Sequence, residues 1–306
     1  MKKSLISVII LTYNEEIHIE RLLKNIAGLA DEIFIVDSFS TDKALEIAKK
    51  YDAKIVQHKF ENQAQQFNWA LDNLDIKNEW ILRLDADEYL TEELKKEIAE
   101  ILFNIRTSDV PNINGNVRTS DVQNINGFYI KRRVYFMGHW IRHGGYYPTW
   151  LLRLFRKEKA RSEQREMDEH IVLLEGSAGK LKNDFVDDNK KDLEFWTDKH
   201  NKFSSREVNE ILRTSDVGRR TCPTSDVQKL DGQAARKRWL KNNFYYRLPL
   251  FFRACLYFIY RYFIRLGFLD GKEGLIFHFL HAFWYRFLVD AKIYETKLKV
   301  DKQNKN

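Results

Sequence analysis

The sequence is poor in cysteine and lacks the glycine motifs that hold phosphate groups. Its two cysteines, Cys222 and Cys255, have no spacing typical of a metal or redox site, so nothing indicates a disulfide framework. No G-x-G-x-x-G follows the first predicted strand, and no G-x-x-x-x-G-K-[ST] occurs anywhere. These absences disfavour a Rossmann dehydrogenase, a methyltransferase of that type and a P-loop enzyme.

Positive charge is concentrated in the last quarter of the chain. The formal net charge is +7, but residues 236–306 hold 15 Lys and Arg against 5 Asp and Glu, which leaves 36 against 39 for the rest. A hydrophobic content of 44% in 306 residues supports one large domain or a domain with an appendage. The apolar run near Met1 lacks a signal-peptide cleavage pattern, so we expect a buried first strand and a cytoplasmic chain.

Strand and helix patterns alternate over residues 4–103. The apolar run SLISVIILTY is followed by helical spacing in NEEIHIERLLKNI, with Asn14 as the expected N-cap. Three further pairs of this kind follow before residue 103. Four β-then-α units in succession predict an α/β fold with a doubly wound, mostly parallel sheet.

Short polar repeats interrupt this pattern. NIRTSDVPNING is followed at once by NVRTSDVQNING, and related copies recur at 213–217 and 224–227. Such repeats are typical of duplicated surface loops. The sequence therefore divides into two halves of an α/β domain (1–103 and 128–212), two loop insertions (104–127 and 213–233), a helical region (234–299) and a polar tail (300–306).

Carboxylates follow two predicted strands, at the sheet edge where ligands bind in this class of fold. Asp37 closes the second strand, and Asp85 and Asp87 close the fourth in WILRLDADEYL. Such acids can also cap the next helix, which begins near Thr91. In the absence of phosphate-binding glycines, a divalent cation between these carboxylates and phosphate oxygens is the alternative way to hold a diphosphate.

Three ordered motifs resemble a known family. SVIILTYNEE, EIFIVDSFSTDKALEIAKKY and ILRLDADEYL together look like the nucleotide-sugar domain of family 2 glycosyltransferases, which have the GT-A fold. The likeness is close over residues 5–103, and YPTWLLRLFRK with MDEHIVLLEG extends it to residue 176. It points to the bacterial branch that builds lipopolysaccharide core, capsule and exopolysaccharide.

The resemblance implies a nucleotide-sugar site at the strand ends, with Mg²⁺ or Mn²⁺ as cofactor and a nucleotide-diphosphate sugar, first of all a UDP-sugar, as donor. Asp87 would be the main metal ligand, and Asp85 would approach the ribose and the metal. Asp37 would bind the base, while the first loop would line the nucleoside pocket. The implied site comprises Thr12, Tyr13, Glu15, Asp37, Asp85, Ala86 and Asp87.

Family members of this kind are inverting, and one-step inversion requires a carboxylate that takes the proton of the acceptor hydroxyl. EQREMDEHIVLLEG offers Glu169 as the preferred base and Asp168 as the second choice. The alternative is that both are solvated acids before a strand. We expect His170 to be structural, because no other residue completes a triad with it.

Two further features of the acceptor-side half, 128–212, bear on the site. Arg153 and Arg156 in LLRLFRK either face the donor diphosphate or flank a strand. Related enzymes often carry a histidine at the entry to the next helix, where this chain has FVDDN (185–189). The chain therefore departs from the family pattern at a position where acceptor contacts are expected.

The helical region 234–299 combines aromatic residues with arginines. Residues 239–287 hold 18 of the 42 aromatics in the chain. Arginines recur too often for the roughly 18 uncharged residues that a spanning helix needs. On one helix Arg253, Arg261 and Arg265 share an arc of about 120°, which predicts amphipathic helices lying in an anionic membrane surface. The alternative is a helical subdomain packed on the catalytic domain or on a second copy. Nucleic acid is disfavoured by the aliphatic bulk beside the arginines.

The sequence therefore predicts an inverting, metal-dependent glycosyltransferase of cell-envelope polysaccharide biosynthesis, peripheral on the inner face of the cell membrane. The acceptor would be a glycan or a lipid-linked molecule, and self-association of the chain is a further option. Two alternatives stay open: a nucleotidyltransferase that makes a nucleotide sugar, and a non-catalytic membrane-bound scaffold. The first of these usually has a glycine-rich and basic first loop, which LTYNEE is not.

Overall fold

The computed structural model describes residues 5–107, 124–165, 169–216 and 232–303. The chain divides into two compact units. The first comprises Met1–Tyr135, Pro148–Gln164 and Glu169–Lys190, and the second comprises Phe136–Tyr147, Arg165–Asp168 and Lys191–Asn306. The first unit ends at Lys190, whereas the sequence placed the end of the α/β domain at residue 212.

A single sheet forms the centre of the first unit. Its strand order is β3-β2-β1-β4-β8-β6-β11-β5, and a separate two-stranded hairpin pairs β10 with β9. Neighbours from β3 to β4 are parallel, as are β6 and β11, whereas β8 and β5 run antiparallel to their neighbours. The strands are β1 (Ile6–Thr12), β2 (Glu32–Asp37), β3 (Lys54–Gln57), β4 (Trp80–Asp85), β5 (Glu88–Leu90), β6 (Ile125–Phe136), β8 (Thr149–Arg156), β9 (Ala160–Ser162), β10 (Ile171–Leu173) and β11 (Ser177–Asp188); β7 (His139–Ile141) lies in the second unit.

Helices cover both faces of the parallel half of this sheet. The helices α1 (Glu16–Ile26), α2 (Ala44–Lys49) and α4 (Glu92–Thr107) contribute buried side chains to one core, and α3 (Gln63–Asn73) contributes to the other. The central strand β1 is apolar on both faces because it lies between these two cores. The predicted α/β fold class with a mostly parallel, doubly wound sheet is confirmed.

The prediction that Asn14 caps the first helix is wrong. Helix α1 begins at Glu16, and Asn14 has a left-handed backbone with φ of 53°. Its side-chain oxygen accepts a hydrogen bond from the Thr41 backbone N–H at 2.8 Å, and its own N–H donates to Ser40 Oγ at 2.9 Å. A residue that bonds to the neighbouring loop in this way cannot also cap its own helix. The loop after β1 is thereby joined to the loop after β2.

The second unit is built from helices around a small apolar core. Val208, Tyr285, Val289 and Ile293 form this core where α5 packs against α9. Beside this core, the Tyr285 hydroxyl donates to the buried Glu207 carboxylate at 2.7 Å. The helices are α5 (Leu193–Asp216), α6 (Gly232–Asn243), α7 (Phe252–Ile259), α8 (Gly271–His278) and α9 (Tyr285–Gln303), with π-helical turns at Tyr260–Ile264 and Phe279–Trp284.

The predicted arginine stripe is wrong at Arg253. This side chain is buried, and its Nε donates to the buried Asp290 carboxylate at 2.8 Å. Between Arg253 and Arg265 the α-helix also gives way to a π-helical turn at Tyr260–Ile264, which changes the angle between successive side chains. A buried ion pair therefore takes the place of one expected membrane contact. In the part of the chain that the structure describes, no helix is both long enough and apolar enough to span a membrane.

Most of the two predicted loop insertions lies outside the described residues. Helix α4 extends to Thr107 and β6 begins at Ile125, so 108–123 of the first insertion are not described. Helix α5 extends to Asp216 and α6 begins at Gly232, which leaves 217–231 of the second undescribed. Their assignment as duplicated surface loops stays a prediction.

Candidate active site

The ends of three parallel strands place the predicted site residues along one edge of the sheet. In the register of the sheet, Thr12 lies opposite Asp37, and Leu11 lies opposite Asp85. Strand β1 therefore separates the two acids, and a strand spacing of about 4.8 Å puts their backbones on the order of 10 Å apart. The convergence of Asp37 and Asp85 on one edge, which the strand pattern predicted, is what the register shows.

Asp37 and Thr12 form the buried part of this edge. The Asp37 carboxylate accepts hydrogen bonds from the Ser40 backbone N–H at 2.9 Å, from Gln57 Nε2 at 3.0 Å, and from the Ser40 hydroxyl. Thr12 is also buried, and its Oγ1 has no hydrogen-bond partner among the described residues. A buried hydroxyl without a partner is costly unless a ligand satisfies it. Thr12 therefore fits the predicted role of a ligand contact.

The loop after β1 presents one predicted residue to solvent and holds another. Tyr13 is 58% exposed, so its ring is available to a bound ring system. Glu15 Oε2 lies 2.5 Å from Nδ1 of the buried His18. The Lys190 backbone N–H donates to Nε2 of the same imidazole at 2.8 Å. His18 thus links the predicted nucleoside loop to the segment that follows β11.

Two arginines balance the negative charge at the end of β4. Asp85 Oδ2 lies 3.6 Å from Arg153 Nη2, and Asp85 Oδ1 lies 3.7 Å from Arg83 Nη2. Gln63, in the first turn of α3, donates to Asp85 Oδ1 at 3.3 Å. The Asp85 side chain is still 29% exposed. The carboxylate is therefore held in place while part of it stays accessible from solvent.

Glu88 supports this arrangement from inside the sheet. Its Oε1 lies 2.5 Å from Arg153 Nη2, and its Oε2 accepts from the Asp85 backbone N–H at 2.9 Å. Burial raises the pKa of the Glu88 carboxyl, and the Arg153 guanidinium opposes that rise. Of the two arginines left open by the sequence, Arg153 lies beside the site. Arg156 pairs with Glu79 at the opposite end of β4 and flanks the strand.

Asp87 lies in the turn between β4 and β5, after the buried Ala86. Its carbonyl oxygen accepts from the Asp188 N–H at 3.1 Å and from Arg21 Nη2 at 2.9 Å. Its Oδ2 accepts from Asn189 Nδ2 at 2.9 Å. The FVDDN segment, which departs from the family pattern, therefore touches the residue expected to bind metal. The contact between Asn189 and Asp87 carries no signal in the sequence, because the two residues are 102 positions apart.

The residues present fit a hard divalent cation. Within the described ranges, no group of three or more His, Cys, Asp and Glu side chains is arranged to hold a metal ion. Asp85 and Asp87 nevertheless offer carboxylate oxygens at the exposed end of one strand. A pair of carboxylates completed by phosphate oxygens and water is the ligand set that Mg²⁺ prefers. Asp85 and Asp87 are the residues that would hold it.

Only one of the two candidate bases lies in the part of the chain that the structure describes. Asp168 lies outside the described residues, and Glu169 is half-buried just before β10. The His170 backbone N–H donates to the buried Glu163 carboxylate at 3.1 Å, and His170 Nδ1 lies 3.5 Å from the same oxygen. This contact supports the structural role expected of His170. Glu163 carried no sequence signal, because only the pairing of β9 with β10 brings it there. The assignment of Glu169 as base stays a prediction.

The chain is an α/β protein with a doubly wound sheet. It presents carboxylates at the ends of β2 and β4, and its sequence has no phosphate-binding glycine motif after the first strand. The family model of glycosyl transferase family 2 matches residues 7–162, about half of the sequence. The chain therefore belongs to glycosyl transferase family 2.

Sequence similarity to individual proteins covers a smaller part of the chain. A protein of Rickettsia bellii named as an uncharacterized glycosyltransferase is 41% identical over 104 residues, which cover 34% of each chain. The glycosyltransferase SunS of Bacillus subtilis is 33% identical over 94 residues, 30% of this chain and 22% of SunS. The match thus spans about a third or less of these relatives. The solved structure of Staphylococcus aureus TarS 1-349 with UDP-GlcNAc covers 95% of this chain and 92% of TarS, at 14% identity and a TM-score of 0.45.

Proposed function

We propose that the chain is an inverting, metal-dependent glycosyltransferase that transfers a sugar from a nucleotide-diphosphate donor, most simply a UDP-sugar, to a glycan or lipid-linked acceptor of a bacterial cell-envelope polysaccharide. The observation that carries the proposal is the accessible Asp85 and Asp87 pair at the end of β4, in a chain of glycosyl transferase family 2. The sequence relatives named as glycosyltransferases support it.

Each residue at the sheet edge has a part in the proposed reaction. The Thr12 hydroxyl and the Asp37 carboxylate would hold the nucleoside. Asp85 and Asp87 would bind Mg²⁺ or Mn²⁺, which when bound neutralises the charge of the departing nucleoside diphosphate. Glu169, or Asp168 in second place, would take the proton of the acceptor hydroxyl as that oxygen attacks the anomeric carbon from the face opposite the diphosphate.

Incubation with UDP-, GDP- and dTDP-sugars, with Mn²⁺ or with EDTA, tests the proposal. We expect Mn²⁺-dependent release of a free nucleoside diphosphate from one donor, because such enzymes hydrolyse donor slowly when acceptor is absent. Release of pyrophosphate from a nucleoside triphosphate and a sugar phosphate would instead show a nucleotidyltransferase. If neither product forms from any donor, even with as much enzyme as donor, the result would support the non-catalytic scaffold.

Asn189→Ala tests whether the FVDDN segment holds Asp87 for the reaction. Loss of the amide frees the Asp87 carboxylate to rotate, and residues that orient a metal ligand typically contribute 10–100-fold to metal affinity or activity. We therefore expect a fall in turnover of roughly that size and a higher Mn²⁺ concentration for half-maximal rate. Asn183→Ala is the control, because Asn183 lies on β11, six residues before Asn189, but its Nδ2 donates to Glu97 Oε2 at 2.9 Å. Equal rates in both variants would contradict the role of Asn189.

We also propose that the tail, residues 234–299, holds the protein on an anionic membrane at the cytoplasmic face. The tail has the charge excess for anionic lipid, and its helices expose many large apolar side chains. Burying such side chains in the acyl boundary is favourable and is not screened by salt. Exposed members between 252 and 287 are Phe252, Leu256, Ile259, Tyr260, Phe263, Ile264, Leu266, Phe268, Leu269, Leu275, Ile276, Phe279 and Phe287.

Sedimentation with vesicles checks the membrane proposal. We expect the intact chain to pellet with vesicles that contain phosphatidylglycerol, and high salt to weaken this only in part. Phe263→Ser with Ile264→Ser should reduce pelleting several-fold, because these side chains are 54% and 67% exposed. Phe103→Ser on α4, at 47% exposure, is the matched control. No pelleting of the wild type, together with a dimer in solution, would favour packing between copies.

A further inference from the structure

The second unit contains a cluster of polar side chains that the proposed reaction does not use. It brings together the loop at residues 143–145 and the segment at residues 261–270. Its members are His143, Gly145, Arg261, Arg265 and Asp270, which we call the loop-143 cluster. All five belong to the second unit, so the cluster is complete within that unit.

Asp270 fixes the imidazole of His143. The Asp270 carboxylate is buried, and its Oδ2 accepts from the His143 backbone N–H at 2.9 Å. Its Oδ1 lies 2.6 Å from His143 Nδ1. Because a carboxylate can only accept, Nδ1 is the nitrogen that donates, and Nε2 is left for another partner. The His143 side chain is 34% exposed, so an outside ligand can reach it.

Arg265 lies directly over the glycines of the same loop. The Gly144 N–H donates to the Arg265 carbonyl oxygen at 2.9 Å. A Cβ built on Gly145, whose φ is 75°, would lie 3.3 Å from Arg265 Nε. A side chain at position 145 would be strained in this backbone conformation and would crowd the guanidinium. The exposed Arg265 guanidinium therefore lies close to Gly145, two residues after His143 in the chain.

Arg261 is a half-buried cation whose contacts in the described part of the chain are to aromatic side chains. Its guanidinium lies 4.1 Å from the centre of the Tyr146 ring, and Nη1 donates to Tyr257 Oη at 3.2 Å. Its Nε is buried and has no hydrogen-bond partner in the described part of the chain. Across the same residues, neither Arg261 nor Arg265 forms an ion pair with a carboxylate. The part of the guanidinium that is open to solvent can bind an anion, because no carboxylate among the described residues neutralises it.

The surface around the cluster is apolar. Phe263, Ile264 and Leu266 lie between or beside the two arginines in the chain, and Phe268 with Leu269 follow before Asp270. All five are between 44% and 67% exposed. A soluble anion would gain nothing from these side chains, whereas a lipid could place its phosphate on the arginines and its chain on the apolar surface.

We propose that the loop-143 cluster binds the terminal phosphate or diphosphate of a lipid, with Arg261 and Arg265 as the phosphate ligands and His143 Nε2 as a further polar contact. This inference rests on the proposed function and narrows the acceptor to a molecule whose sugar or hydroxyl is carried on a lipid phosphate. The exposed apolar residues that flank the cluster hold the first part of the lipid chain.

Direct binding to the full chain, without any sugar donor, tests this inference. Farnesyl diphosphate below its micelle concentration is the probe, and inorganic pyrophosphate and farnesol are the comparison ligands, all followed by titration calorimetry. We expect farnesyl diphosphate to bind at least tenfold more tightly than either comparison ligand. Arg265→Gln and Arg261→Gln should each weaken that binding about tenfold or more, because one charge-assisted contact to phosphate is lost.

Arg247→Gln is the matched control, because Arg247 is an exposed arginine of the same tail outside the cluster. A specific site would be confirmed if the Arg247 variant binds farnesyl diphosphate like the wild type, the two cluster variants bind it more weakly, and all three variants have the same melting temperature. Equal weakening in all three variants would show non-specific charge attraction and overturn the proposal. Pyrophosphate binding as tight as that of farnesyl diphosphate would overturn the lipid assignment. Each of these results leaves the donor-hydrolysis test of the proposed function untouched.

Discussion

Asp87→Asn should reduce Mn²⁺-dependent donor hydrolysis by more than the roughly 10–100-fold that residues orienting a metal ligand contribute. The substitution keeps the volume of the side chain and removes the charge that a divalent cation requires. The Oδ1 of the new asparagine can still accept from Asn189 Nδ2, so the turn between β4 and β5 should keep its shape. The rate should be measured at several Mn²⁺ concentrations, because a lost ligand lowers both affinity and maximal rate.

Asp75→Asn provides the control for this experiment. Asp75 is a surface acid whose side chain is 88% exposed, and its nearest cation, Lys77 Nζ, is 3.9 Å away. We expect wild-type rates and metal dependence from it. Near-normal turnover of the Asp87 variant at saturating Mn²⁺, with an unchanged melting curve, would refute the assignment of Asp87 as the principal metal ligand.

Asp290→Asn should destabilise the second unit by about 3–5 kcal/mol, the usual cost of breaking a buried ion pair from one side. Asp290 is fully buried, and it accepts from Arg253 Nε and from the Phe251 N–H, both at 2.8 Å. Removing its charge leaves the Arg253 guanidinium buried without compensation. The free energy of unfolding, from urea denaturation followed by the fluorescence of the tail tryptophans, measures the loss.

A second variant separates loss of the charge pair from general disruption of the fold. Arg253→Met in the Asp290→Asn background removes the stranded charge, so it should restore more than half of the lost stability. Asp301→Asn near the exposed end of α9 is the control, and it should change stability by less than about 0.5 kcal/mol. A double variant no more stable than Asp290→Asn alone would show that Arg253 contributes by packing.

The parallel half of the fold could be predicted because its signals are local. Strand β1 is mostly apolar, α1 repeats apolar residues at helical spacing, and Asp37 and Asp85 lie where strands end. Parallel pairing then follows from the connections alone, and with it the approach of Asp37 and Asp85. The position of Arg153 beside Asp85 could not be predicted, because it depends on β8 running antiparallel to β4.

The side-chain contacts of the tail could not be predicted from helical periodicity. The spacing of Arg253, Arg261 and Arg265 describes one straight α-helix, but a π-helical turn at Tyr260–Ile264 lies between the first and the last of them. Two of these arginines have different partners: a carboxylate 37 residues away for Arg253, and the Tyr146 ring for Arg261. Such partners are determined by tertiary packing, which a helical wheel does not describe. The contact of Asn189 with Asp87 was hidden for the same reason.

The hydrogen bonds between the loops after β1 and β2 bear on the cost of binding a nucleotide. Besides the Asn14 contacts, the Glu16 N–H donates to Asp42 Oδ2 at 2.8 Å, and the Lys43 N–H donates to Glu16 Oε2 at 3.1 Å. Loops that are free in solution lose conformational entropy when a ligand orders them, and that loss is subtracted from affinity. In this protein the two loops are already ordered by folding, so under the proposed function a nucleoside bound at Asp37 would cause little further loss of loop entropy.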